Sequence, residues 1–261
     1  MSILDRDRLI SAVGPWTSNC LIFDRLDSTH LCAKRLMEQL DTEDIPLSPT
    51  LILADRQSGG QGRAQRKWSS QPGGLYLNLV WAMTDPSHIA HLPILAAATV
   101  HRAVCAVGVE NAGIKWPNDI LVDGHKLGGI LVHARHGARL LATVGLGINV
   151  VEAPDLNGLP QQSVTSLADC LGPGNATDRT LTLITSFLEH FTESLHDPQW
   201  AIDHWKAHLI HSEGENISLQ TSSGAVISGT FEGVNSSGHL MIQTESGLQT
   251  LTGGDIVEDD S

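Results

Sequence analysis

The sequence predicts an α/β or α+β domain followed by a small all-β domain, and three observations carry that expectation. Strand-like and helix-like patterns interleave up to about residue 211; the character changes at Ser212–Glu215; and from Asn216 on, short alternating segments are divided by Ser222-Ser223-Gly224, Ser236-Ser237-Gly238 and Ser246-Gly247. Short strands with regularly placed glycine turns read as a small antiparallel barrel. A chain of 261 residues is long enough for one medium domain with a real core and a small one beside it.

The elements follow in order. Residues 5–13 read as a short helix and Cys20–Leu26 as a strand, after which Asp27-Ser28-Thr29 supplies capping side chains for a helix to about Leu40. Thr50–Ala54 is a second strand. Asp55–Gly74 is a loop rich in Gly, Gln, Ser and Arg, and a loop that long inside a compact domain is functional or disordered. Gly74–Met83 alternates, with Leu75, Leu77, Leu79 and Trp81 on one face, and Ile89–Val107 is Ala-rich and helical. Gly113–Trp116 is expected to run into Ile120–Val122 as one strand. The turn Asp123-Gly124 joins it as a hairpin to Lys126–Ala134, and Leu140–Asn149 follows. Loop 150–163, with Pro154, Asn157-Gly158 and Pro160, has turn composition; helical patterns then cover 164–171, 178–195 and 199–211.

Composition limits the function classes. The formal net charge is −13, which argues against a general nucleic-acid binder whose affinity comes from phosphate neutralisation. A single nucleotide is still accessible, since a few local cations and backbone N–H groups hold one. Apolar runs such as Leu75–Met83 and Pro93–Val100 are far short of a membrane span, and the N-terminus lacks a basic region followed by a long apolar core. Cys20, Cys32, Cys105 and Cys170 form no Cys-x-x-Cys pair, so reduced thiols in a cytoplasmic protein are expected. His204, His208 and His211 have the spacing of metal ligands on one helical face, but with Trp200, Trp205 and Leu209 they also describe an ordinary amphipathic helix.

Two segments carry chemistry. In Gly59-Gly60-Gln61-Gly62-Arg63-Ala64-Gln65-Arg66-Lys67-Trp68, glycines allow close backbone approach, exposed N–H groups can cradle oxyanions, and Arg63, Arg66 and Lys67 add positive charge. No Gly-Lys-Ser/Thr follows, so it is not a Walker loop, and the spacing of a dinucleotide fingerprint is missing. A bland reading, a mobile polar hairpin, fits the same residues. The second segment is Lys115-Trp116-Pro117-Asn118-Asp119-Ile120 followed by Lys126-Leu127-Gly128-Gly129-Ile130-Leu131. Pro-Asn-Asp could simply turn the chain. Two lysines entering apolar strands require anionic or polar partners, and paired glycines inside a strand point to a backbone or ligand packed against them. Gly145-Leu146-Gly147-Ile148-Asn149 repeats the theme.

Taken in this order, after Asp27-Ser28-Thr29 and the Gly-rich Arg loop ending at Trp68, these motifs resemble the biotin–protein ligase family over about residues 20–258. The resemblance implies an α+β, class II aminoacyl-tRNA-synthetase/biotin-ligase-like catalytic domain with a mixed sheet over 1–212, and a small SH3-like barrel over 213–261. It implies ATP and biotin as substrates, Mg²⁺ with the leaving pyrophosphate, and a biotin carboxyl carrier domain as the acceptor; the chain could be a monomer or a homodimer. Ser28, Thr29 and Gln57 would hold the ureido end of biotin. Gly60, Gln61, Gly62 and Arg63 would line the pocket and hold the carboxylate and α-phosphate. Lys126 would sit at their junction, and Gly129 and Leu131 would wall it. Arg63, Arg66, Trp68, Lys115, Asn118 and Asn149 would serve the nucleotide, Lys126 and Arg63 would be catalytic, and no protein ligand to a metal is assigned. Loop 150–163 corresponds to a segment that closes over the adenylate.

The chain departs from the family pattern at four places. Gln61 replaces a cation, Gln65 a glycine, His30 the Asn after Ser-Thr, and His133 stands where an acidic residue is common. Three other functions bear weighing. A lipoate–protein ligase or octanoyltransferase shares the fold, and Arg56-Gln57-Ser58-Gly59-Gly60 faintly resembles its loop, but Lys-Trp-Pro-Asn-Asp and the C-terminal barrel stand against it. A biotin-responsive repressor needs a helix-turn-helix domain for which the position of Ser28 leaves no room, so no specific DNA binding is expected. A non-catalytic biotin-binding module would be marked by the changes at Gln61 and Gln65.

Overall fold

A computed structural model of the chain describes residues 2–43, 45–154, 163–221 and 223–257. Asp5 caps α1 (Arg6–Val13), and β1 (Asn19–Phe23) leads to α2 (Thr29–Thr42), whose cap Ser28 accepts from the Leu31 N–H. β2 (Thr50–Ala54) and β3 (Gly74–Ala82) flank the long loop. A 3-10 turn, Pro86–His91, opens α3 (Leu92–Ala106). Then come β4 (Ala112–Lys115), β5 (Asp119–Val122), β6 (His125–His136) and β7 (Leu140–Asn149). Three helices follow: α4 (Leu167–Leu171), α5 (Ala176–His196) and α6 (Pro198–Ala207).

β1 to β7 form one sheet in the order β1-β2-β3-β7-β6-β5-β4. β1 and β2 pair in parallel, which requires a crossover, and α2 supplies it. The other pairs are antiparallel, so the sheet is mixed, as expected for the α+β class. On one face Leu75, Leu77, Leu79 and Trp81 of β3 pack into the main core with α3 and α5. On the other, Val80 joins Ala33 and Met37 of α2, Ile52 and Leu141. Both faces of β3 are therefore covered, although its sequence alternates like a strand with one wet side.

The expected single strand from Gly113 to Val122 is two strands, β4 and β5, folded on one another around Trp116-Pro117-Asn118. The hairpin turn at Asp123-Gly124 is where the sequence places it, with φ of 50° and 79°, the left-handed pair that a two-residue turn needs. The last helical pattern stops at Ala207 rather than 211, because Leu209 turns away to bridge Ile114 of β4. Pro86–Ala106 is long and apolar enough, by length and composition alone, to cross a membrane, yet its most apolar stretch is mostly buried, with α3 in the core. The four cysteines are free and partly exposed.

The tail forms a five-stranded antiparallel sheet of β8 (Asn216–Gln220), β9 (Val226–Val234), β10 (Leu240–Thr244), β11 (Gly247–Leu251) and β12 (Asp255–Val257), in the order β11-β10-β9-β8-β12. It docks on the first sheet's layer through the Trp116 indole N–H, which donates to Gly238 O at 2.9 Å. Residues 155–162 of the expected closing loop lie outside the described residues.

Candidate active site

A cavity of about 510 Å³ opens where β3, β6 and β7 meet the start of α2 and the loop after β2. Its uncharged polar end is built by the capping geometry of α2. Ser28 and Thr29 are buried, Thr29 donates its N–H and its hydroxyl to Gln57 Oε1 at 2.7 and 3.1 Å, and Gln57 Nε2 donates to Ser70 Oγ at 2.8 Å. A helix start adds unpaired N–H groups and a partial positive charge to this end. His30 follows on the same wall, 6.0 Å edge-to-face from His133. Burial, helped by the neighbouring His133 and Lys34, pushes the His30 imidazole down to about 4, and its buried Nδ1 has no hydrogen-bond partner among the described residues.

The middle of the cavity is a glycine floor. Gly129 of β6 and Gly147 of β7 are cross-strand partners, and the Trp68 indole lies on both. A Cβ at Gly147 would sit 2.6 Å from Trp68 Cε2, and one at Gly129 would sit 3.2 Å from Trp68 Cζ3. The paired glycines therefore admit a flat ring where side chains would stand. Gly145, one step along β7, makes the same room for Asn78, whose side chain accepts from the Thr143 hydroxyl.

The charged end gathers Lys126, Arg63 and Arg66. Lys126 Nζ lies 2.6 Å from Asp119 Oδ2 and 5.4 Å from the centre of the Trp68 ring. That carboxylate is the partner a lysine in an apolar strand requires. Arg63 Nη1 donates to Asn118 Oδ1 at 3.0 Å and to Gly254 O at 3.3 Å, and Arg66 Nη2 donates to Asp255 Oδ1 at 2.8 Å. Burial pulls the Arg63 guanidinium below its ordinary value, opposed by Asp255 and Asp119. The loop carrying both arginines is itself a small hairpin: Gly62 N–H donates to Arg66 O, and Trp68 N–H donates to Gly60 O. At its tip Ala64 and Gln65 have φ of 50° and 61°.

Of the residues singled out from the sequence, Ser28, Thr29, Gln57, Gln61, Gly62, Arg63, Arg66, Trp68, Asn118, Lys126, Gly129, Leu131 and Asn149 all line this one cavity. Two do not. Gly60 stands behind the wall, where a Cβ would strike Ser70 Oγ at 2.5 Å, so its smallness serves the loop's packing. Lys115 ends β4 opposite Asp119 of β5, does not line the cavity, and its charge is felt by His211 instead. Asn118 turns its amide to Ile130 O at 2.6 Å, and Asn149 turns its own to Thr165 O at 2.9 Å, so each side chain is oriented by backbone. Sequence reasoning assigned no role to Asp119, Asn78 or His30. The signal for Asp119 was the unpaired lysine itself, and for Asn78 a lone amide in an otherwise apolar strand.

Residues 22–149 match the model of the biotin/lipoate A/B protein ligase family, and residues 214–257 match that of the biotin protein ligase C-terminal domain. The bifunctional ligase/repressor BirA of Bacillus subtilis is 30% identical over 245 residues, which cover 89% of this chain and 72% of the relative. The chain belongs to the biotin protein ligase family. It spans 65% of the similar Bacillus spizizenii ligase/repressor. It spans 96% of the biotin–[acetyl-CoA-carboxylase] ligase of Paracoccus denitrificans, at 28% identity over 84% of this chain. The solved biotin protein ligase of Aquifex aeolicus in complex with biotin and ATP superposes with a TM-score of 0.69 at 25% identity, covering 92% of this chain and 97% of that one. The match to the ligase C-terminal domain includes Gly254 and Asp255, so that region holds the two arginines of the cavity's charged end without itself lining the cavity.

Proposed function

We propose that this chain condenses biotin with ATP to biotinyl-5′-AMP and then transfers the biotinyl group to a lysine of a biotin carboxyl carrier domain. One observation carries the reading: a single cavity runs from an uncharged hydrogen-bonding end at Ser28, Thr29 and Gln57, over a glycine floor, to a cationic end at Lys126, Arg63 and Arg66. Biotin has the same polarity, with a neutral ureido ring at one end, an apolar chain between and a carboxylate at the other.

In the first step a biotin carboxylate oxygen attacks the α-phosphorus of ATP, and pyrophosphate leaves with the electron pair of the broken P–O bond. Two anions must approach, and Lys126 and Arg63 supply the charge that offsets their repulsion. Arg66, Trp68, Asn118 and Asn149 form the nucleotide side of the same cavity. Asp119 is the one carboxylate among the described lining residues, a hard oxygen donor suited to Mg²⁺, which would neutralise the departing pyrophosphate. Much of the remaining acceleration comes from alignment of two bound substrates. In the second step the neutral amine of the acceptor lysine attacks the acyl carbon, AMP leaves with the bond's electron pair, and the amine's proton passes to solvent. The enzyme needs no nucleophile of its own.

This assignment gives the chain no operator binding, in keeping with its net charge of −13. Incubation with biotin, ATP, Mg²⁺ and a carrier domain, read by intact mass, tests it. One biotinyl group on the carrier and none when lipoate replaces biotin is the expected result. Biotin binding without pyrophosphate release would instead mark a binding module, and lipoyl transfer would mark the sister activity.

A further inference from the structure

His101 of α3 and His204 of α6 are separated by 103 positions in the chain, yet His101 Nδ1 lies 3.0 Å from His204 Nε2. His208 stands one turn after His204, and its ring centre lies 4.4 Å from that of His101 and 4.1 Å from that of His204. One nitrogen from each of the three rings falls within 4.8 Å of the other two. None of the three lines the cavity described above.

We propose that His101, His204 and His208 form a binding site for a divalent transition-metal ion of the zinc class. The tautomers required are set by hydrogen bonds already present. His101 Nε2–H donates to Ala112 O of β4 at 3.0 Å, which leaves the Nδ1 lone pair aimed at the cluster. His208 Nδ1–H donates to His204 O at 2.7 Å, which leaves Nε2 free. A backbone acceptor on the far nitrogen is how proteins orient a metal-binding imidazole. In the metal-free chain His204 Nε2–H donates to His101 Nδ1. On loading, that proton moves to His204 Nδ1 and the ion takes both lone pairs, so no net proton is lost.

The spacing suits the ion. Zinc–nitrogen bonds of about 2.0–2.1 Å at tetrahedral angles put ligand nitrogens roughly 3.4 Å apart, close to the separation found between His101 and His204. Three imidazoles favour zinc and its neighbours over magnesium or calcium. Cys105, one turn after His101, places its Sγ 3.8 Å from His101 Nδ1 as a further donor beside the cluster. Arg102, whose charge acts on His204, is drawn over the Trp200 ring, 5.3 Å from its centre. The ion would tie α3, α6 and β4 together just before the chain enters the second sheet.

The test uses chelator-stripped full-length protein in excess Mg²⁺, titrated with Zn²⁺ by calorimetry and with Co²⁺ by visible absorption. One equivalent should bind, with the absorption of a tetrahedral cobalt centre, and Zn²⁺ should raise the thermal midpoint. His204→Gln and His208→Gln should each weaken binding at least 100-fold and remove the thermal shift. His30→Ala, which removes an imidazole of the cavity, should leave both unchanged. Circular dichroism of the metal-free variants checks that they fold. Failure of the unaltered chain to bind one equivalent, or undiminished binding in both glutamine variants, would overturn the proposal. Neither result bears on biotin transfer, which the carrier-domain assay reads separately.

Discussion

Arg66 Nη2 donates to Asp255 Oδ1 at 2.8 Å, with Arg63 3.7 Å from the same oxygen, so the loop over the cavity is anchored to β12 of the second sheet. The Arg66–Asp255 pair is about half exposed, and such a pair contributes ~0.5–1 kcal/mol. Asp255→Ala should therefore free the loop without unfolding the chain, and biotinyl-5′-AMP should escape about 2–5-fold faster. A chase of preformed adenylate with unlabelled biotin measures this; an unchanged release rate would show that the anchor does not govern retention.

Lys126→Ala should lower the rate of biotin-dependent pyrophosphate release by roughly 10²–10³, the usual loss for one group aimed at developing charge. Asp119→Asn leaves that ammonium in place, so its effect on the same assay should be at least tenfold smaller when Mg²⁺ is saturating.

At Gly147 the obstacle to a side chain is one identifiable ring. Gly147→Ala puts a methyl group 2.6 Å from Trp68, and the indole with its loop must shift. Biotin affinity should fall by at least tenfold. The double variant with Trp68→Ala should lose less than the sum of the two single losses, because residues in contact couple. Strict additivity in a titration of the four proteins would count against the floor.

The tip of the arginine hairpin holds Gln65 at φ 61°, where the family pattern has glycine. A side chain in that region costs about 1–2 kcal/mol, partly offset by the greater entropy a glycine loses on folding. Gln65→Gly should raise stability by about 0.5–1 kcal/mol in urea titration. A decrease would mean that the glutamine makes a stabilising contact that outweighs its backbone.

His30 makes stability depend on pH. Its native pKa, about 4, lies below the ordinary 6.5, so the unfolded chain binds a proton through the window between them while the native chain does not. Stability then falls as pH drops from 6.5 to 4, by up to about 3 kcal/mol, and the contribution is intact above 6.5. In His30→Gln the acid-side slope of the unfolding free energy should flatten over that window.

What was legible in the sequence is what is decided locally. Ser28 caps α2 because its hydroxyl reaches an N–H three residues on, and Asp123-Gly124 turns a hairpin because both residues tolerate positive φ. The cavity's residues were legible as motifs, since two lysines, three glycine pairs and an arginine loop each pose a packing question. Which answer each received depends on register. Lys126 met Asp119 between β5 and β6, while Lys115, opposite the same Asp119 on β4, does not line the cavity and is felt by His211. The Gly129–Gly147 pairing that seats Trp68 is a property of two strands together. The histidines show the same limit. His204 and His208 were visible as a helical pair, but their third member is His101 on another helix rather than His211, which bonds Glu215 after the helix has ended.

The glycine floor also sets how this pocket could be re-engineered. Specificity is commonly widened by trimming a side chain so that a bulkier ligand analogue fits the hole. Gly129 and Gly147 have nothing to trim, so the floor is already at the limit that a backbone allows. Room for an enlarged biotin would have to come from the Trp68 ring seated on them or from walls such as Leu77, Asn78 and Leu131, whereas narrowing is available at either glycine by a single methyl group that pushes against that ring. Selection for altered ligands should therefore be one-sided at the two glycines, tightening there and loosening only at Trp68 and the walls.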